Sequence, residues 1–153
     1  MKKHVVCFGD SNTHGYCAKT GGRFDENQRW TCLLQKKLGD QWLILEEGLS
    51  GRTTTFDDPI HEALSGLDYI YPCLMSHEPV DLLIIMLGTN DYDYGISYMK
   101  QLLEKLHGTF SNVTIYVDNL LIKGDSLNQK CGFSTFGSES SNKLPIQIKN
   151  ING

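Results

Sequence analysis

No stretch of this 153-residue chain approaches the roughly 18 consecutive apolar residues that mark a membrane-crossing helix. Basic charge is not in excess either. Fourteen Lys and Arg face eighteen Asp and Glu, a net charge of −4, which excludes an electrostatic grip on nucleic acid or anionic lipid. The apolar run behind Met1-Lys2-Lys3 lasts only from Val5 to Phe8, too short for the core of a signal peptide. The expected location is therefore cytoplasmic. Cys7, Cys17, Cys32, Cys73 and Cys131 are odd in number and scattered. No C-x-x-C pair occurs, so the sequence predicts neither a zinc site nor a redox pair. No internal repeat is present, and no histidine follows His107.

What is present suits one globular domain, with 40% apolar residues to form its core. Residues 4–8 read as a buried strand, and Trp42-Leu43-Ile44-Leu45 as a second. Leu82 to Leu87 is a continuous apolar run whose lack of alternation predicts burial on both faces. Val113 to Val117 reads as a fourth strand. Between them lie helical patterns. Trp30, Leu33, Leu34 and Leu38 repeat at helical spacing before a stop at Gly39, and the segment 60–76 repeats Ala63, Leu64, Leu67, Ile70 and Leu74. Ser97 reads as the N-cap of a helix running through His107, closed by Gly108. Residues 16–24 and 46–58 read as loops. Strands alternating with helices predict an α/β fold around a parallel sheet. The pattern decays after Ile122. The expected organisation is a domain over 1–122 and an irregular or weakly helical tail over 123–153.

In an open parallel sheet, ligands bind beyond the C-terminal ends of the strands. Three polar motifs fall there. They are Gly9-Asp10-Ser11 after the first strand, Gly48-Leu49-Ser50-Gly51-Arg52-Thr53-Thr54 after the second, and Gly88-Thr89-Asn90-Asp91 after the third. Each alone could be an ordinary turn or helix cap. Their convergence at one sheet edge points instead to a site, in which Ser11 ends a buried strand as a hydrolase nucleophile does. No cysteine occupies such a strand-to-loop position. The first loop also lacks the glycine pattern that cradles a phosphate, which disfavours a nucleotide binder.

Over residues 4 to about 120 these motifs resemble the SGNH (GDSL-type) hydrolases, and among them the arylesterase-like branch. The stretch Glu46 to Thr54, followed by Asp57-Asp58-Pro59, is similar to the second motif of that branch, and Leu87 to Asp91 to the third. The resemblance implies a flavodoxin-like three-layer sandwich with strand order 2-1-3-4-5. It implies Ser11 as nucleophile. The N–H groups of Ser11 and Gly51 and the side-chain amide of Asn90 would form the oxyanion hole, with Asp10 and Asp91 in support. Preorganised neutral donors stabilise a tetrahedral oxyanion, each by about 3–4 kcal/mol. His14 and Arg52 are expected beside the substrate pocket. The implied partner is a small acyl ester cleaved as by an arylesterase or carbohydrate acetylesterase, without metal or cofactor, in a chain that could form homo-oligomers.

The resemblance also implies an Asp-x-x-His motif after a fifth strand, and neither is matched. Asp58-Pro59-Ile60-His61 has the spacing but follows the second motif directly, so it reads as coincidence. His61 is expected to be structural or exposed and His77 to be exposed, while His107 ends a helix and His4 begins the first strand, away from the site edge. The general base is left unassigned and the order reduces to 2-1-3-4. Three readings stay open: a truncated or frameshifted esterase, a vestigial domain that binds without turnover, or a base supplied by a second subunit.

Overall fold

The computed structural model describes residues 1–57, 61–91, 95–110 and 113–118. Its organising element is β1 (Lys3–Gly9), in which Val5, Val6, Cys7 and Phe8 are each 0% exposed. Both edges of β1 are paired. It lies parallel to β4 (Trp42–Gly48) on one side and to β5 (Leu82–Met86) on the other, and β6 (Thr114–Asp118) lies parallel to β5. The sheet order is therefore β4-β1-β5-β6, which is the expected 2-1-3-4 order of the main strands. The register aligns Gly9 with Gly48 and Met86, and Met86 with Asp118, so all four C-terminal ends finish level.

Alternation along the strands sorts side chains to two faces. Val6, Phe8, Leu83, Ile85, Ile115 and Val117 join the core under α3 (Gly66–Ser76) and α4 (Gly95–Thr109). Val5, Cys7 and Ile84 face the other way and pack with Trp30 and Leu34 of α2 (Trp30–Leu38). The result is a three-layer α/β sandwich. In α4 the buried residues Met99, Leu102, Leu103 and Leu106 follow helical spacing. Gln35 of α2 clamps the outer strand. Its Nε2 donates to the carbonyls of Gly39 (3.1 Å) and Trp42 (3.0 Å), and its Oε1 accepts from the Ile44 N–H at 2.9 Å.

Several boundaries differ from the sequence reading. β4 continues through Glu46, Glu47 and Gly48, because their backbones pair with Cys7, Phe8 and Gly9. The helix expected over 60–76 starts only at Gly66. Ser65 caps it by accepting from Asp68 N–H, while the Ser65 N–H is held by the Asp57 carboxylate, which ties the preceding residues to the second motif loop. α4 runs from Gly95 to Thr109, which puts Ser97 inside its first turn rather than at its cap and Gly108 inside its last turn rather than beyond its end. The loop over 16–24 contains a miniature antiparallel hairpin, β2 (Tyr16–Cys17) and β3 (Gly22–Arg23). The tail 123–153, its boundary at 122 and Asp58 to Ile60 lie outside the described residues. Among the described residues no helix is long and apolar enough to cross a membrane.

Candidate active site

Ser11 opens a single helical turn, α1 (Ser11–His14), at the C-terminal end of β1. Asp10 caps that turn. Its buried Oδ1 accepts from the Asn12 N–H at 2.9 Å and from Asn12 Nδ2 at 3.0 Å. Gly15, at φ 84°, ends the turn and donates its N–H to the Ser11 carbonyl. The turn rests directly on the sheet. A Cβ on Gly48 would lie 2.1 Å from the His14 nitrogen, and one on Gly9 would lie 2.8 Å from the Met86 carbonyl oxygen. Only glycine permits this approach at either strand end.

The second motif folds back over the same strand ends. Leu49 N–H donates to the Gly9 carbonyl (3.1 Å), and Arg52 N–H to the Leu49 carbonyl (3.0 Å), with Gly51 at φ 84° between them. Arg52, expected beside the substrate pocket, is only 3% exposed. Its Nη1 donates to the carbonyls of Gly9 (3.2 Å) and Glu47, and its guanidinium lies over the rings of Phe8 (4.2 Å) and Tyr69 (5.1 Å). Burial lowers its pKa from the usual arginine value. Arg52 thus ties the first two motif loops together from beneath.

The third motif locks onto the second. Asn90 Nδ2 donates to the Arg52 carbonyl at 2.9 Å, and Asp91 Oδ1 accepts from the N–H (2.8 Å) and hydroxyl (2.6 Å) of Thr54. Asp91 is fully buried, and that burial pushes its pKa up. The Thr54 hydrogen bonds oppose the shift, and the Asp10 charge adds to it. Oδ2 of Asp10 and Oδ2 of Asp91 find no hydrogen-bond partner among the described residues. The three motifs are therefore interlocked by hydrogen bonds although they are far apart in sequence.

Among the described residues no histidine hydrogen-bonds to Ser11. His14 is half-buried on the serine turn, and its carbonyl accepts from Arg23 Nε at 2.7 Å. His61 is exposed on the turn before α3. His77, expected to be exposed, is instead half-buried and paired with Glu47 at 2.6 Å. The two glutamates that open the second motif carry roles the sequence reading did not assign. Glu46 accepts from Arg29 Nε (3.0 Å), Arg29 Nη2 (3.3 Å) and the Thr31 hydroxyl. Burial would raise its pKa, but these bonds and the charges of Arg29 and Arg23 outweigh burial and hold it below the usual carboxylate range. Glu47 points to the opposite face. Strand alternation through Glu46-Glu47 was the signal available for that split.

The GDSL-like lipase/acylhydrolase family matches residues 7–141. The chain belongs to this family. Solved structures of similar proteins carry the same fold. A carbohydrate acetylesterase family member from Sinorhizobium meliloti is 32% identical, with a TM-score of 0.70 over 76% of this chain and 62% of the other. Est24, a carbohydrate acetylesterase from the same organism, is 38% identical with a TM-score of 0.66, covering 76% and 63%. The inhibitor-bound aryl esterase of M. smegmatis is 35% identical with a TM-score of 0.70, covering 76% and 63%. This GDSL-like chain thus spans about three fifths of the length of the structures it matches. No curated protein matches it.

Proposed function

We propose that the protein is a serine esterase acting on small acyl esters. Ser11 Oγ attacks the ester carbonyl, the alcohol leaves, and water releases the acyl group from Ser11. The N–H groups of Ser11 and Gly51 and the Asn90 amide receive the oxyanion. The observation that carries this reading is the hydrogen bond from Asn90 Nδ2 to the carbonyl of Arg52, the residue after Gly51. It commits one amide proton to the scaffold, fixes the amide's orientation and leaves the second proton for a ligand. Neutral donors held in this way need no reorganisation when charge develops. The aryl esterase and carbohydrate acetylesterase structures, each above 30% identity, support an ester as substrate class.

The Ser11 proton needs an acceptor, and no described histidine stands on that hydroxyl. Without a general base, the oxyanion hole and substrate binding retain about 10³–10⁴-fold catalysis over water, far below a complete triad. This observation favours a second reading, an ester-binding domain without efficient turnover. Assay of p-nitrophenyl acetate cleavage decides between them. Turnover abolished by Ser11→Ala establishes the esterase, and turnover unchanged by that substitution refutes the nucleophile. No turnover in the 153-residue chain, with retained binding of an acetyl ester, establishes the second reading. Specific activity that rises with protein concentration assigns the base to a second copy.

A further inference from the structure

One group of side chains, on the face of the sheet under α3 and at the opening of the second motif, has chemistry that ester cleavage does not use. Glu47 in β4, Cys73 in α3 and His77 at the C-cap of α3 each offer a ligand atom, and these atoms lie within 4.8 Å of one another. Cys73 and His77 are four residues apart, which places them on one face of the helix end. Glu47 meets them because it points to the α3 side of the sheet, opposite Glu46. His77 Nε2 is 2.6 Å from Glu47 Oε1, and the Tyr69 hydroxyl is 3.5 Å from Glu47 Oε2. Cys73 is 1% exposed, whereas the side chains of His77 and Glu47 are 24% and 20% exposed. A sulfur floor therefore sits beneath a nitrogen and an oxygen that reach solvent.

We propose that Glu47, Cys73 and His77 form a binding site for a zinc-class divalent transition-metal ion, with water as the fourth ligand. Mixed sulfur, nitrogen and oxygen donors suit zinc or cobalt, whereas calcium and magnesium require oxygen donors. Bonds of about 2.0–2.3 Å around a tetrahedral ion set its ligand atoms roughly 3–4 Å apart. The His77–Glu47 contact opens by under about 1 Å to reach that spacing, and the widest pair closes by a similar amount.

Charge balances at the site. As the ion enters, a metal–sulfur bond forms, the Cys73 S–H bond breaks and its proton passes to solvent. The His77–Glu47 hydrogen bond is exchanged for two metal–ligand bonds, with the Nε2 proton of His77 lost to solvent as Nδ1 takes one up, so the imidazole ligates as the neutral tautomer. Burial holds the metal-free thiol up at about 12, with the Glu47 charge adding to this and the Arg52 charge opposing it. Arg52 is the neighbouring cation that would repel an ion. Thiolate and carboxylate together neutralise a divalent charge, so Arg52 faces a site with no net charge. The bound ion would staple β4 to the end of α3, one residue before the Gly48 on which the serine turn rests. The site stands whether or not Ser11 cleaves esters, and metal binding is scored separately from turnover.

The test is titration of the reduced, chelator-stripped protein, without a polyhistidine tag, with Co²⁺ and then Zn²⁺. One equivalent of Co²⁺ is expected to give the visible bands of four-coordinate cobalt and a thiolate-to-cobalt charge-transfer band. Zn²⁺ is expected to bleach both and raise the melting temperature. Cys73→Ser should remove the charge-transfer band, and His77→Gln and Glu47→Gln should each weaken binding at least tenfold. The latter two side chains are partly exposed, so these variants carry the test if Cys73→Ser fails to fold. The proposal is overturned if Co²⁺ does not bind at one equivalent. It is equally overturned if the charge-transfer band survives Cys73→Ser, or if neither His77→Gln nor Glu47→Gln weakens binding.

Discussion

Glu46 shows how one carboxylate can organise the approach to a site without belonging to it. It joins the edge strand β4 to Arg29 and Thr31 at the start of α2 and to Arg23 on the β2–β3 hairpin. Its folded pKa lies below the usual value of a glutamate. A depressed carboxylate contributes stability that is present above its unfolded pKa and is lost as pH falls through the folded value. Glu46→Gln removes the charge-assisted bonds and should cost about 1–3 kcal/mol at neutral pH. In urea denaturation, the difference between wild type and variant should be full at pH 7 and shrink as pH falls below 4.5. A pH-independent difference would mean that packing rather than charge makes the contribution.

At the scale of elements, the level ends of β1, β4 and β5 matter more than any single helix. The close contact of α1 with Gly48 gives a direct test. Gly48→Ala puts a methyl group against the His14 backbone nitrogen, and a backbone cannot step aside as a flexible side chain can. Overpacking of this kind costs typically 1–3 kcal/mol. The unfolding free energy should fall by that amount in urea denaturation, because the serine turn must shift to make room. A variant that keeps wild-type stability would show that the turn does not rest on β4. The four main strands were legible because each is an apolar run bounded by turn residues. Their order came with the family resemblance, not from the runs themselves. The serine turn as a helix was not legible, because four residues are too few to show a period. The late start of α3 was hidden as well, since Ala63 and Leu64 continue the apolar spacing of that helix. The fold overrides this pattern by tying Ser65 to Asp57 and packing Gly66 against the carbonyls of Thr53 and Thr54.

Across the whole molecule, protection should follow distance from the centre of the sheet. β1 has a strand on each edge and a helical layer on each face, so its amides exchange only through the largest openings. The β2–β3 hairpin pairs only two residues on each strand and should open independently. Hydrogen exchange read by mass spectrometry should find β1 and β5 slowest and residues 16–23 among the fastest. Equal protection of the hairpin and β1 would contradict a core centred on the sheet. At this scale the convergence of the three loops that carry Ser11, Gly51 and Asn90 was legible by motif. The burial of Arg52 was not, because the residue reads as polar lining of a pocket until Phe8 and Tyr69 are folded against it. Glu47, Cys73 and His77 were silent because each is ordinary where it stands and only the folded chain joins them.

The interlocking of the three loops also sets a timetable. Ribosomal synthesis delivers Ser11 early and Asn90 much later, and the carboxamide can dock on Arg52 only after β5 has been threaded beside β1. A newborn chain therefore carries its first motif loop unmet by the other two, and their interlock waits for the winding of the sheet to finish.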